Sequence, residues 1–196
     1  MSKKARISSA DVDSLLKALL VLTRTADHVL GERAIARGGG GVLSPSKVLI
    51  LRFLQFQGPQ TLSAVAHMLG VTKPAVTQIV DVMERETLLT RSKGGRDRRE
   101  VALRPTPRGR RVVHAIEQVQ RELVRTAIRE SPLRESKRCT TLFNETASAL
   151  AQAGAVLESF CAQCGAHRDG RCVLDGGESC CLFLKYARVK RGARRA

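Results

Sequence analysis

Tryptophan is absent from this 196-residue chain and tyrosine occurs once, so aromatic residues amount to only 3%. The stacking platforms that grip single-stranded nucleic acid need several rings and are hard to build from such a supply. Acidic residues are scarce too: 18 stand against 34 lysines and arginines, a formal charge of +16. That excess favours a polyanionic partner, because neutralising phosphates releases condensed counterions. Nucleic acid, and duplex DNA rather than single strands, comes first; an anionic membrane surface comes second. No apolar run approaches the roughly 20 residues needed to cross a bilayer. The start, Met1 to Ser9, is basic and polar with no hydrophobic stretch behind it, so a cytoplasmic location and no membrane partner are expected. Signs of catalysis are missing as well: no glycine loop to cradle phosphate, no paired carboxylates on one face, no histidine beside a nucleophile. The chain is not expected to be an enzyme.

What is present is periodic. From Val12, the apolar positions Leu15, Leu16, Leu19, Leu22, Ala26, Val29 and Leu30 recur every three or four residues, which predicts one long amphipathic helix capped by Ser8 or Ser9. Gly38 to Gly41 is a run of four glycines that no helix carries without a large entropic cost, and it reads as a flexible joint. Ser44-Pro45 opens the next helix, with Val48, Leu49, Leu51 and Leu54 as its expected buried face, and Gly58-Pro59 closes it. A short helix over Thr61 to Leu69 stops at Gly70, and a second begins at once with Thr72 as cap and Pro74 in its first turn. Two helices so joined make a helix-turn-helix, the second burying Val76, Ile79, Val80, Val82 and Met83.

Leu88 to Arg91 and Glu100 to Leu103 read as two short strands around a polar, glycine-containing tip, a basic hairpin in the place of a wing. Thr106-Pro107 starts another helix, whose Val112, Ile116, Val119 and Leu123 form a narrow seam, and a last helix spans about 136–160 with Leu142, Phe143, Leu150, Ala153, Leu157 and Phe160 on its apolar side. Terminal helices this apolar suit a partner chain carrying the same helices, hence a homodimer. The expected fold class is mainly α with a small β-wing (α+β). It divides into an N-terminal dimerisation helix with its glycine joint (1–42), a winged helix-turn-helix domain (43–109), C-terminal dimerisation helices (110–160), and a cysteine-rich segment with a basic tail (161–196).

The second helix of such a motif sets its first turns against base edges, so its exposed residues there should be polar, basic or small. Thr72, Lys73, Ala75, Thr77 and Gln78 meet that requirement, and Gln78 offers a donor and an acceptor together to adenine. In the hairpin, Lys93, Arg96, Arg98 and Arg99 suit the narrow, electronegative minor groove, with Asp97 orienting a neighbouring arginine. Taken alone, a charge run of this kind is as often a solvated loop; its place straight after a helix-turn-helix favours DNA.

These residues resemble the multiple-antibiotic-resistance regulator (MarR) family over about Leu43 to Gly109. The family's Leu-Ser/Thr-Pro helix start, helix-turn-helix, Asp-x-Arg wing and Thr-x-x-Gly helix entry have counterparts here. They are Leu43-Ser44-Pro45, Leu69-Gly70-Val71-Thr72, Asp97-Arg98-Arg99 and Thr106-Pro107-Arg108-Gly109. Two departures stand out: Thr87 where the family turns with glycine, and Pro105 in place of a strand leucine. The resemblance implies a dimer with interlocking terminal helices on a pseudo-palindromic operator. It also implies repression that is relieved when a small aromatic inducer binds or a cysteine is oxidised. The competing expectation is an architectural or adaptor protein that binds nucleic acid without sequence choice.

The family offers nothing to match Cys161, Cys164, Cys172, Cys180 and Cys181. Without a secretion signal they point to a metal site or redox switch rather than a disulfide scaffold. Cys161 and Cys164 have the two-residue spacing that turns both thiolates to one ion, and Cys172 with Cys180 or Cys181 completes four sulfurs for zinc or an iron–sulfur cluster. Arg168 and Arg171 would equally lower a thiol pKa for redox sensing. His167 reads as a solvated surface residue, and Cys139 as a small hydrophobe in the last helix.

Overall fold

The computed structural model describes residues 8–40, 43–93, 101–129 and 136–154. The N-terminal rod opens with a capping box in which the Ser8 side chain accepts the Asp11 N–H and the Asp11 carboxylate accepts the Ser8 N–H. Helix α1 (Ser9–Ala26) then passes into a π-helical stretch, Asp27–Arg33, before α-geometry resumes in α2 (Ala34–Gly38). The expected single helix is therefore one rod with a widened middle, which apolar spacing alone does not disclose.

Helix α3 (Pro45–Gln57) starts as expected, Ser44 accepting the Lys47 N–H with proline following. Its buried face differs from expectation: Leu49 is half-buried, while Ile50 and Phe53 are fully buried beside Val48, Leu51 and Leu54. The reason is that α3 is covered on two sides. Ile50, Leu51, Phe53 and Leu54 belong to the main core, and Val48 to a smaller cluster with Ala34 of α2 and Ile116.

The chain continues through strand β1 (Gln60–Thr61), helices α4 (Leu62–Leu69) and α5 (Lys73–Arg85), strands β2 (Leu89–Lys93) and β3 (Val101–Pro105), and helices α6 (Pro107–Arg129) and α7 (Ser136–Gly154). The strands form an antiparallel sheet in the order β1-β3-β2. The two-residue β1 is too short to show an alternating pattern in the sequence. Pro105 fits because it faces Leu89 at the end of β3, beyond the Leu103 and Ala102 positions that β1 pairs.

In α5, Val76, Val80 and Met83 are buried and Ile79 and Val82 half-buried; all but Val82 pack on Val65, Ala66 and Met68 of α4 and Leu88, Leu89 and Leu103 at the wing base. Gly70 takes the left-handed conformation (φ 67°) that stops α4. No helix among the described residues is long and apolar enough to cross a membrane.

Candidate nucleic-acid interface

Thr72 caps α5, its hydroxyl accepting the Ala75 N–H at 3.5 Å, and Pro74 lies in the first turn. Lys73 and Gln78 are exposed, whereas Ala75 and Thr77 are half-buried. The five residues singled out in the sequence thus share the N-terminal end of one helix. Thr77 donates its hydroxyl proton to the Lys73 carbonyl oxygen at 2.9 Å. What it retains for a ligand is a methyl group and oxygen lone pairs.

Beside this helix stands the wing hairpin, paired in register from Leu89 and Pro105 at the base to Lys93 and Val101 at its outer end. Of the expected wing contacts, Lys93 closes β2. Arg96, Arg98 and Arg99 lie outside the described residues, as do the proposed metal ligands Cys161, Cys164, Cys172, Cys180 and Cys181. Among the described residues no three His, Cys, Asp or Glu side chains come together as a metal site.

Arg91, which sequence reasoning missed, joins wing to helix. Its guanidinium donates to Asp81 Oδ1 and to Glu84 Oε2, each at 2.5 Å, and its backbone N–H donates to Glu84 Oε1 at 3.2 Å. Hydrogen bonding to Asp81, with the charges of Glu84 and Asp81, raises the Arg91 pKa above its already high value. The pairing also acts on α5: Asp81 is exposed three residues beyond Gln78, and unpaired it would repel phosphate. Arg91 is therefore an internal counterion that sets the hairpin against the helix. At the far end of α5, Glu86 accepts from Lys47 Nζ at 2.7 and 2.8 Å, fixing that end to the start of α3.

The wing base explains the Thr-x-x-Gly pattern. The Thr106 hydroxyl donates to the Thr87 carbonyl oxygen at 2.6 Å and accepts the Gly109 N–H at 3.0 Å, so one side chain closes the turn and caps α6. A Cβ on Gly109 would stand 2.1 Å from the Leu88 carbonyl oxygen, so only glycine fits. Thr87 occupies the left-handed region (φ 56°) where a glycine would be unstrained, and its hydroxyl accepts from Arg108 at 3.2 Å.

Residues 43–101 match the MarR family model. This winged helix-turn-helix, the reading head of the chain, is thus similar to the MarR family. That family is one of transcriptional regulators, not enzymes, in keeping with the lack of catalytic groupings in the sequence. Similar folds occur in RV1404 from Mycobacterium tuberculosis (26% identity, TM-score 0.61, covering 79% of this chain and 100% of that one) and in a MarR family protein from Bacillus stearothermophilus (23%, 0.55, 73% and 99%). A MepR variant from S. aureus bound to an oligodeoxyribonucleotide is also similar (20%, 0.51, 67% and 97%). No curated protein matches the chain. The expected winged-helix fold is the one observed.

Proposed function

We propose that this chain is a homodimeric transcriptional regulator that binds a pseudo-palindromic duplex operator through α5 and the wing, and that it acts as a repressor. One observation carries the reading: the exposed, polar N-terminal end of α5 stands beside a hairpin that Arg91 locks to the same helix. A helix end against base edges with a hairpin along the flanking backbone is the usual division between sequence choice and grip. The similar MepR variant was captured on an oligodeoxyribonucleotide, which supports the same reading.

A duplex selected from a random library, titrated with wild type and two variants, tests it. Gln78→Ala should mainly relax sequence choice and Arg99→Ala should weaken binding to all sequences, each by about 1–3 kcal/mol. Equal losses on every sequence for both variants, or enrichment of no motif by wild type, would favour a sequence-blind architectural protein.

For the control of this affinity we propose either a small inducer or a metal or oxidant acting at Cys161, Cys164, Cys172, Cys180 and Cys181. Metal analysis with absorption spectra on anaerobically purified protein separates iron–sulfur, zinc and metal-free states. Replacing Cys161 and Cys164 together should uncouple DNA release from the signal. Unchanged release would assign control to the small inducer instead.

A further inference from the structure

Among the described residues, the rod formed by α1, the π-helical stretch and α2 is held to the body at one end only. Ala34 of α2 is fully buried, and a Cβ on Gly38 would come within 2.6 Å of the Ile116 backbone, so α2 is seated directly on the α6 main chain. None of the residues of α1 is buried. The direction in which α1 leaves the body is therefore decided between these parts, in the π-helical residues Asp27–Arg33. Such stretches are rare and concentrate at functional positions.

One α6 side chain links this junction to α3. Gln120 Nε2 donates to the Leu30 carbonyl oxygen in the π-helical stretch at 2.5 Å, and Gln120 Oε1 accepts from the Arg52 guanidinium of α3 at 3.0 Å. The amide orientation is dictated by its partners: turned over, it would set donor against donor at Arg52 and acceptor against acceptor at Leu30. A single planar group thus ties the rod to α3, whose buried face belongs to the core of the reading head.

We infer that Gln120 is a specificity-determining positioning residue, which fixes the angle of α1 to the reading head and hence the half-site separation that a dimer accepts. This rests on the dimeric DNA-binding reading above. The leverage is large. At 1.5 Å per residue, α1 is roughly 27 Å long, so a swing of about 10° at its root displaces its far end by about 5 Å. That exceeds the 3.4 Å step between successive base pairs.

The test selects duplexes from a random library with the full chain as wild type, Q120L and Q120E. Leucine keeps most of the volume and removes both hydrogen bonds; glutamate keeps the acceptor for Arg52 and loses the donor to Leu30. Wild type should enrich an inverted repeat of one spacing. Both variants should enrich the same half-site at several neighbouring spacings, with discrimination between the best spacing and its neighbours reduced about threefold to tenfold. Hydrogen exchange should quicken over Asp27–Arg33 while α3 and α5 stay protected. A single undiminished spacing preference in both variants would overturn the inference, as would exchange that quickens evenly throughout the chain, the mark of a merely structural brace. If wild type itself enriches no paired half-sites, the dimeric reading fails and the inference with it.

Discussion

The reading head and the N-terminal arm are both built from helices with regularly spaced apolar residues, which meet different fates within the chain. In the head, Phe53, Ile50, Leu51, Met83 and Leu89 are completely buried against one another. In the arm, Leu15 is 59% exposed and Leu16 53%, and across the molecule Leu142, Phe143 and Leu150 of α7 are exposed as well. Exposed leucines are ordinary when scattered, but a repeating stripe of them along one helix is not. The contrast separates two kinds of information in one sequence: the head's pattern is satisfied by this chain alone, while the stripes on α1 and α7 stay uncovered among the described residues, as the proposed homodimer requires.

Four experiments break or sharpen this contrast, and the largest effect belongs to the head. Phe53→Ala should lower unfolding stability by about 3–5 kcal/mol, read from chemical denaturation, because it leaves a cavity in a closed core. A loss under 1 kcal/mol would mean that the head is not a tightly packed unit. In the arm, Leu15→Ala with Leu16→Ala should weaken self-association by about 3 kcal/mol in sedimentation equilibrium. The head's own unfolding, measured at dilutions where wild type is monomeric, should hardly change. Equal damage to both would abolish the distinction.

A smaller effect of opposite sign is expected at the wing base. Thr87→Gly should stabilise the head by about 0.5–1 kcal/mol, since it removes a left-handed side chain and loses only an exposed hydroxyl contact with Arg108. Destabilisation would assign that contact more weight than strain relief. The smallest effect lies at the tip of the arm. Hydrogen bonds from the Ser8 hydroxyl and backbone N–H hold the Asp11 carboxyl below its ordinary pKa. Its support of α1 is then complete above the ordinary carboxylate range and disappears as pH falls through the lowered value. Amide signals of the first turn should report fraying on acidification in wild type and not in Asp11→Asn.

Local chemistry made much of the head legible. Ser44-Pro45, Thr72 with Pro74, and Gly70 act through their own backbone and therefore mark helix ends at the right places. The buried face of α3 is wider than a single apolar stripe predicts, because the main core wraps round to Ile50 and Phe53 beyond Leu51 and Leu54 while a second cluster covers Val48. The π-helical stretch left no mark, since Ala26, Val29 and Leu30 keep a spacing that an ordinary helix would also show. Arg91 and Gln120 were invisible for a different reason: their partners lie 7 and 10, and 68 and 90, positions away. Only the folded chain brings those groups together. At the start of α5, five candidate residues on one short stretch are readable because a helix N-terminus is itself a local feature.

The Arg91 cluster bears on how the protein's charge should be counted. With two carboxylates around one guanidinium, that corner of the interface is net negative in isolation, despite the +16 of the whole chain. The slope of binding against salt concentration reports only cations that displace ions from phosphate. Arg91 should be silent in such a titration, while its removal would bare Asp81 and Glu84 and make salt aid binding at that corner by screening a new repulsion.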